Sequence, residues 1–138
     1  MKYKKLYPIL MALIALVVAS LACNFGTPAE PTASDFYMAT DQEGSNRTTV
    51  FSSTDDFFVH FDVAGIEVGT PFQSRWYALD IEGEDPNTPF QTIDYTYEEG
   101  IGNIYFQLTN ADGWPVGNYK VEIYMNGTKV GEQLFSVQ

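Results

Sequence analysis

From residue 35 to residue 138, apolar and polar residues alternate with a period of two rather than 3.6. The clearest run is 57–63, in which every second residue from Phe57 to Val63 is apolar. Such alternation is typical of a β-strand with one face in a core and the other in solvent. The pattern predicts eight short strands, at about 36–40, 48–52, 57–63, 74–81, 90–97, 103–109, 118–126 and 128–137. No stretch after Cys23 has an apolar stripe of helical spacing, so we expect an all-β fold.

Turn-forming residues separate the predicted strands. Gly, Pro, Asn and Asp are concentrated at 43–46, 69–71, 83–87 and 111–113. The strongest local signal is Asn126-Gly127 between the last two strands, because both residues tolerate the positive φ of a type I′ hairpin turn. Short strands separated by turns at regular intervals indicate a β-sandwich or barrel.

The N-terminal segment has a different pattern and is set apart from the fold. A basic start with Lys2, Lys4 and Lys5 precedes an uncharged apolar run at 6–22, which ends in small residues before Cys23. This pattern is typical of a secretory signal peptide. Residues 20–23, Ser-Leu-Ala-Cys, resemble the lipobox of bacterial lipoproteins. The resemblance implies cleavage after residue 22 and a diacylglycerol on Cys23, whereas the alternative is an uncleaved signal anchor.

Composition limits the classes of function. The 138 residues are enough for one domain and carry a formal net charge of −11, which argues against a nucleic-acid partner. Without residues 1–22, four basic residues remain against 18 acidic ones, so the net charge becomes −14. This charge repels anionic lipid head groups, and residues 23–34, rich in Pro and Thr, are expected to act as a tether between membrane and body.

Three features of residues 35–138 resemble an immunoglobulin-like or fibronectin type III β-sandwich. Trp76 lies in the middle of a predicted strand, Gly117-x-Tyr119 leads into the penultimate strand, and a tight Asn-Gly turn joins the last two strands. The resemblance implies a single antiparallel sandwich of seven or eight strands. It also implies that Tyr119 forms a tyrosine corner, with its hydroxyl bonded to upstream backbone. Val59 or Phe61, together with Val121, would replace the usual inter-sheet cysteines.

The sequence offers little that suggests catalysis or metal binding. Calcium ligands are conceivable in the acidic stretch of Asp80, Glu82, Glu84 and Asp85, but Pro86 interrupts it and a solvated loop is the preferred interpretation. His60 is expected at an exposed strand position. A triad of Ser52 or Ser53 with Asp55 and His60 lacks a nucleophile elbow. We therefore expect no enzyme, no cofactor and no metal.

Strand parity predicts a candidate binding face. It directs Trp76, Phe106, Tyr119 and Phe61 toward the core. It directs Arg75, Tyr77, Leu79, Lys120, Glu122 and Tyr124 to the outside of one sheet, with Leu134 from the last strand, and Phe58 and Tyr105 to the outside of the other. Tyr and Arg are enriched at interface hot spots. The proposed binding residues are therefore Arg75, Tyr77, Leu79 and Tyr124.

Together these features predict a lipid-anchored module on the extracytoplasmic side of the cell membrane. We expect it to bind an envelope protein or glycan through this aromatic face or through loops. The alternative is a structural or accessory subunit of a larger envelope complex.

Overall fold

The computed structural model describes residues 26–138, and every regular element within them is a β-strand. The strands are β1 (Thr32–Ala39), β2 (Val50–Phe51), β3 (Phe57–Ala64), β4 (Pro71–Ala78), β5 (Gln91–Thr96), β6 (Asn103–Leu108), β7 (Gly117–Met125) and β8 (Thr128–Val137). Each matches one predicted segment, so the all-β prediction is confirmed. Two strands differ from their predicted bounds by more than two residues: β4 lies earlier than 74–81, and β1 begins at Thr32, so residues 32–34 of the expected tether belong to the first strand.

The signal segment at 1–22 and the proposed acylation site at Cys23 lie outside the described residues. Residues 31–138 form one compact unit. Within the described part of the chain, no helix could cross a membrane.

The eight strands form two sheets. One has three strands in the order β1-β3-β6, and the other has five in the order β2-β8-β7-β4-β5. Neighbouring strands are antiparallel except for β2 and β8, where Val50 pairs with Ser136 and Phe51 with Val137 in parallel. A two-residue strand has no alternation of its own, which explains why the sequence pattern could not specify this parallel pair.

The hydrophobic core lies between the two sheets and matches the parity prediction. Trp76, Phe61 and Val121 are fully buried, and Phe106 and Tyr119 are nearly so. The indole N–H of Trp76 has a hydrogen-bond acceptor within the core, since Nε1 donates to Ser74 Oγ at 2.9 Å. The apolar residues proposed to replace the inter-sheet cysteines therefore occupy the centre of the sandwich.

The final hairpin has the predicted geometry. Asn126 and Gly127 have φ values of 51° and 78°, as a type I′ turn requires. At the start of β7, the Tyr119 hydroxyl donates to the Pro115 carbonyl at 2.6 Å, so the tyrosine corner is present.

A kink in β1 brings this strand of the three-stranded sheet into contact with β8 of the other sheet. Asp35 has a φ of 53°, and the pairing with β3 shifts register between Ser34 and Tyr37. This turns the Phe36 ring inward, where it stacks on Phe61 with ring centroids 5.2 Å apart. A Cβ at Gly131 of β8 would lie 2.5 Å from the Phe36 ring, so only glycine permits this approach. Strand β1 therefore lies against β8, and β6 forms the opposite edge of the three-stranded sheet.

Candidate binding face

The pairing of β4, β7 and β8 brings the predicted binding residues onto one outer surface. Arg75 pairs with Glu122, Tyr77 with Lys120, and Lys120 with Leu134. We call this surface the cationic face; its residues are Arg75, Tyr77, Leu79, Lys120, Glu122, Tyr124, Lys129, Glu132 and Leu134. It contains Arg75, Lys120 and Lys129, three of the four basic residues in the described part of the chain.

Glu122 is the centre of the cationic face. Its carboxylate is nearly buried and accepts hydrogen bonds from Tyr124 Oη at 2.8 Å, Lys120 Nζ at 3.0 Å and Lys129 Nζ at 3.2 Å. Lys129 also pairs with Glu132 on the adjacent strand. A buried carboxylate with several donors fixes the positions of the side chains around it. The sequence pattern placed Glu122 on this face but did not indicate that it is the hub.

The ionisation of these groups follows from their contacts. Burial alone would raise the pKa of Glu122, but hydrogen bonds from Tyr124, Lys120 and Lys129 outweigh it and lower the pKa from 4.5 to about 2. The hydrogen bond to Glu122 raises the pKa of Tyr124. The carboxylate of Glu132 and then that of Glu122 raise the pKa of Lys129. The carboxylate at the centre of the face is therefore ionised at neutral pH.

Two cations cover the tyrosine rings of this face. The Arg75 guanidinium lies 4.0 Å from the centroid of the Tyr124 ring, and Lys120 Nζ lies 4.6 Å from that of Tyr77. Tyr77 is only 8% exposed. Its ring points outward as predicted, but it supports the cations rather than presenting an open aromatic surface.

The end of the cationic face near Leu79 is apolar. A groove of about 500 Å³ is lined there by Leu79, Leu134 and Val50, with Asp80 and Asn118 at its polar side. Leu134 is 60% exposed. The face therefore combines a charged part around Glu122 with an adjacent apolar groove.

The outer face of the three-stranded sheet is less exposed to solvent than strand parity predicts. His60 is 2% exposed, so the expectation of an exposed histidine was wrong. The loop after β1 covers it: His60 Nε2 lies 3.2 Å from the Asp41 carbonyl oxygen, and the ring stacks on Tyr37. Phe58 is also buried, whereas Tyr105 remains 39% exposed. Strand parity predicted correctly on which side of the sheet these residues lie, but it could not show that another part of the chain covers that side.

The acidic residues proposed as weak calcium ligands do not form a cluster. Asp80 accepts hydrogen bonds from the main chain and side chain of Asn118, both at 2.7 Å. Asp85 accepts from the Asn87 main chain and the Thr88 hydroxyl. Within residues 26–138, no three His, Cys, Asp or Glu side chains converge in a geometry suited to a metal ion. The carboxylates at both ends of this stretch thus order the loop itself.

Trp114 was missed as a core residue because it follows a turn, where strand parity does not apply. Its indole Nε1 donates to the Asp55 carbonyl at 3.0 Å, and its ring stacks on Phe57 at 4.4 Å between centroids. Trp114 therefore belongs to the hydrophobic core.

The comparisons with known proteins concern the fold. No protein-family model and no curated protein matches the chain. An immunoglobulin-like protein from Pseudomonas aeruginosa is similar with a TM-score of 0.59 at 12% identity, covering 82% of this chain and 100% of that one. The alkylpurine DNA glycosylase AlkC from Pseudomonas fluorescens, in a complex with DNA, has a TM-score of 0.54 at 12% identity, covering 80% of this chain but only 31% of the glycosylase. The two-sheet topology and these similarities identify the fold as an immunoglobulin-like β-sandwich.

Proposed function

We propose that the chain is a lipid-anchored, non-catalytic binding module of the cell envelope that captures a partner protein through its cationic face. The observation that carries this proposal is the collection of Arg75, Lys120 and Lys129 around Glu122 in a body with 18 acidic residues. Arrangements of Arg and Tyr beside an apolar groove favour association with a partner that carries carboxylates and apolar side chains.

A protein is favoured over a glycan as the partner. Sugars bind to flat aromatic rings whose faces are open to solvent, whereas Arg75 and Lys120 already cover the rings of Tyr124 and Tyr77. Nucleic acid is not proposed, because four basic residues against 18 acidic ones give no extended surface for phosphates.

The test compares two arginines that stack on tyrosines in different parts of the fold. Arg75 lies over Tyr124 on the cationic face, and Arg47 lies 3.6 Å from the Tyr37 ring centroid beside the other sheet. Full-length wild type, Arg75→Ala and Arg47→Ala are used to capture envelope proteins, which are quantified by mass spectrometry. We expect Arg75→Ala to weaken capture of one protein at least tenfold, as for a hot-spot arginine, and Arg47→Ala to leave it unchanged.

Equal capture by all three proteins would refute the use of this face. A single partner retained in fixed stoichiometry by both variants would instead support the accessory-subunit alternative. The lipid anchor is tested separately with Cys23→Ala, which we expect to remain an unacylated precursor. A mature wild-type N-terminus at another residue and without lipid would refute the anchor.

A further inference from the structure

Strand β6 has an open edge with free backbone hydrogen-bonding groups. Val63 N donates to the Gly102 carbonyl at 2.9 Å, directly beside the β3–β6 pairing. Hydrogen-bonded and non-hydrogen-bonded pairs alternate along an antiparallel ladder. Asn103, Tyr105 and Gln107 therefore direct their N–H and C=O groups away from β3. Within residues 26–138, no hydrogen bond reaches these main-chain groups.

The other edges of the two sheets carry features that hinder strand addition. The kink at Asp35 interrupts β1, β2 has two residues, and β5 follows Pro89 and carries Asp94. Strand β6 has six residues without proline, glycine or charge. Since folded proteins normally protect their edge strands with such features, an unprotected edge suggests that another strand pairs with it.

Among residues 26–138, no strand pairs with the free edge of β6, on the side of the sandwich opposite β5. Since β1 lies against β8, the place beyond β6 faces β5. Ile93 and Tyr95 pair with the buried Ser74 and Phe72, so they point toward the inside of the sandwich. Both are nevertheless only partly buried. A fourth strand beside β6 would cover these two side chains with its own apolar residues.

The charges around β6 indicate the chemistry of that strand. Residues 98–112 contain Glu98, Glu99 and Asp112 but no Lys or Arg, and Asp56 and Asp62 accept hydrogen bonds from β6 side chains. A second copy of this chain would bring the same excess of acidic groups. We propose that β6 accepts an extended segment of a partner protein, with apolar residues toward Ile93 and Tyr95 alternating with Lys or Arg toward solvent. This surface is separate from the cationic face.

The experiment uses the full-length chain and a blocked seven-residue peptide that alternates Val with Lys. Amide hydrogen exchange is followed by mass spectrometry, and affinity by titration. We expect exchange to slow about fivefold or more across residues 103–107, as strand addition by main-chain hydrogen bonds requires. A peptide alternating Val with Glu is expected not to bind. The Val/Lys peptide with an N-methyl group on every residue is also expected not to bind, because neither of its edges can then donate.

Matched proline variants locate the edge on the protein. Gln107→Pro removes one free donor without removing a bond to β3. Thr92→Pro does the same on β5: Tyr97 N donates to Thr70 O, and the alternation counted from this bond directs the Thr92 N–H away from β4. We expect Gln107→Pro to weaken binding of the Val/Lys peptide at least tenfold and Thr92→Pro to leave it unchanged. If Gln107→Pro does not fold, the N-methylated peptide on the wild-type chain decides.

Three results would overturn the proposal. They are protection of β5 instead of β6, equal binding of the Lys and Glu peptides, and protection of β6 that rises with protein concentration in the absence of peptide. The last of these would identify a second copy as the occupant.

Discussion

Replacing Glu122 by Gln should destabilise the fold, and the size of the effect should depend on pH. Gln has nearly the same shape but no charge, so it loses both ion pairs with Lys120 and Lys129. The pKa of Glu122 is about 2 in the folded chain and 4.5 in its ordinary state. At 1.36 kcal/mol per pKa unit, the ionised carboxylate contributes about 3 kcal/mol to stability at neutral pH.

The pH range of this contribution follows from the direction of the shift. Because the folded pKa lies below the ordinary one, the contribution is complete above about pH 5 and is lost as the pH falls through 4.5 toward 2. We expect Glu122→Gln to lower the free energy of unfolding by about 2–3 kcal/mol at pH 7 and by about 1 kcal/mol at pH 3.

The measurement is urea unfolding of residues 26–138, followed by the fluorescence of Trp76 and Trp114, at pH 7, 5, 4 and 3. Comparing variant with wild type at each pH cancels the titration of the other carboxylates. Glu132→Gln is the control, because Glu132 pairs with Lys129 at a more exposed position, and such pairs contribute about 0–1 kcal/mol. A loss below about 0.5 kcal/mol at pH 7, or a loss that does not shrink in acid, would refute the role of Glu122 as the charged hub.

Three further substitutions test the core and its closure. Trp76→Ala should cost about 3–5 kcal/mol by leaving a cavity among fully buried side chains, and a change in urea unfolding below about 1 kcal/mol would contradict this. Tyr119→Phe keeps the ring but loses the bond to the Pro115 carbonyl, so the same assay should show a loss of about 1 kcal/mol; no loss would mean that the tyrosine corner is dispensable. Gly131→Ala forces a methyl group into the Phe36 ring and should cost about 1–3 kcal/mol, and wild-type stability would show that β1 can move away freely.

The sequence predicted the strands well because a sandwich buries one face of each strand. Alternation, together with the turn residues between segments, located the strands, and parity assigned Trp76, Phe61 and Tyr119 to the core. The tight turn at Asn126-Gly127 was predictable from local backbone preferences, since only a few residues tolerate positive φ.

The remaining features depend on contacts between parts of the chain that are distant in sequence. Parity cannot show that the loop after β1 covers His60, or that Lys120 lies over Tyr77. Parity placed Arg75, Glu122 and Tyr124 on one face. However, Glu122 accepts its hydrogen bonds from residues of both β7 and β8, and the pairing of these two strands contains a register shift. The cationic face was therefore predictable as a surface, but its network of hydrogen bonds was not.

The kink in β1 has a mechanical consequence if the chain is held by its N-terminus. A pulling force transmitted through the N-terminal segment reaches Thr32 first and acts to peel β1 from β3. Three residue pairs, from Thr32 with Ala64 to Ser34 with Asp62, precede the kink. Beyond them, the Phe36 carbonyl is held by Gln133 Nε2 at 3.0 Å, and its ring lies between Phe61 and Gly131. From that point the load passes into both sheets together, so the outer end of β1 can yield under tension while the sandwich and its cationic face keep their shape.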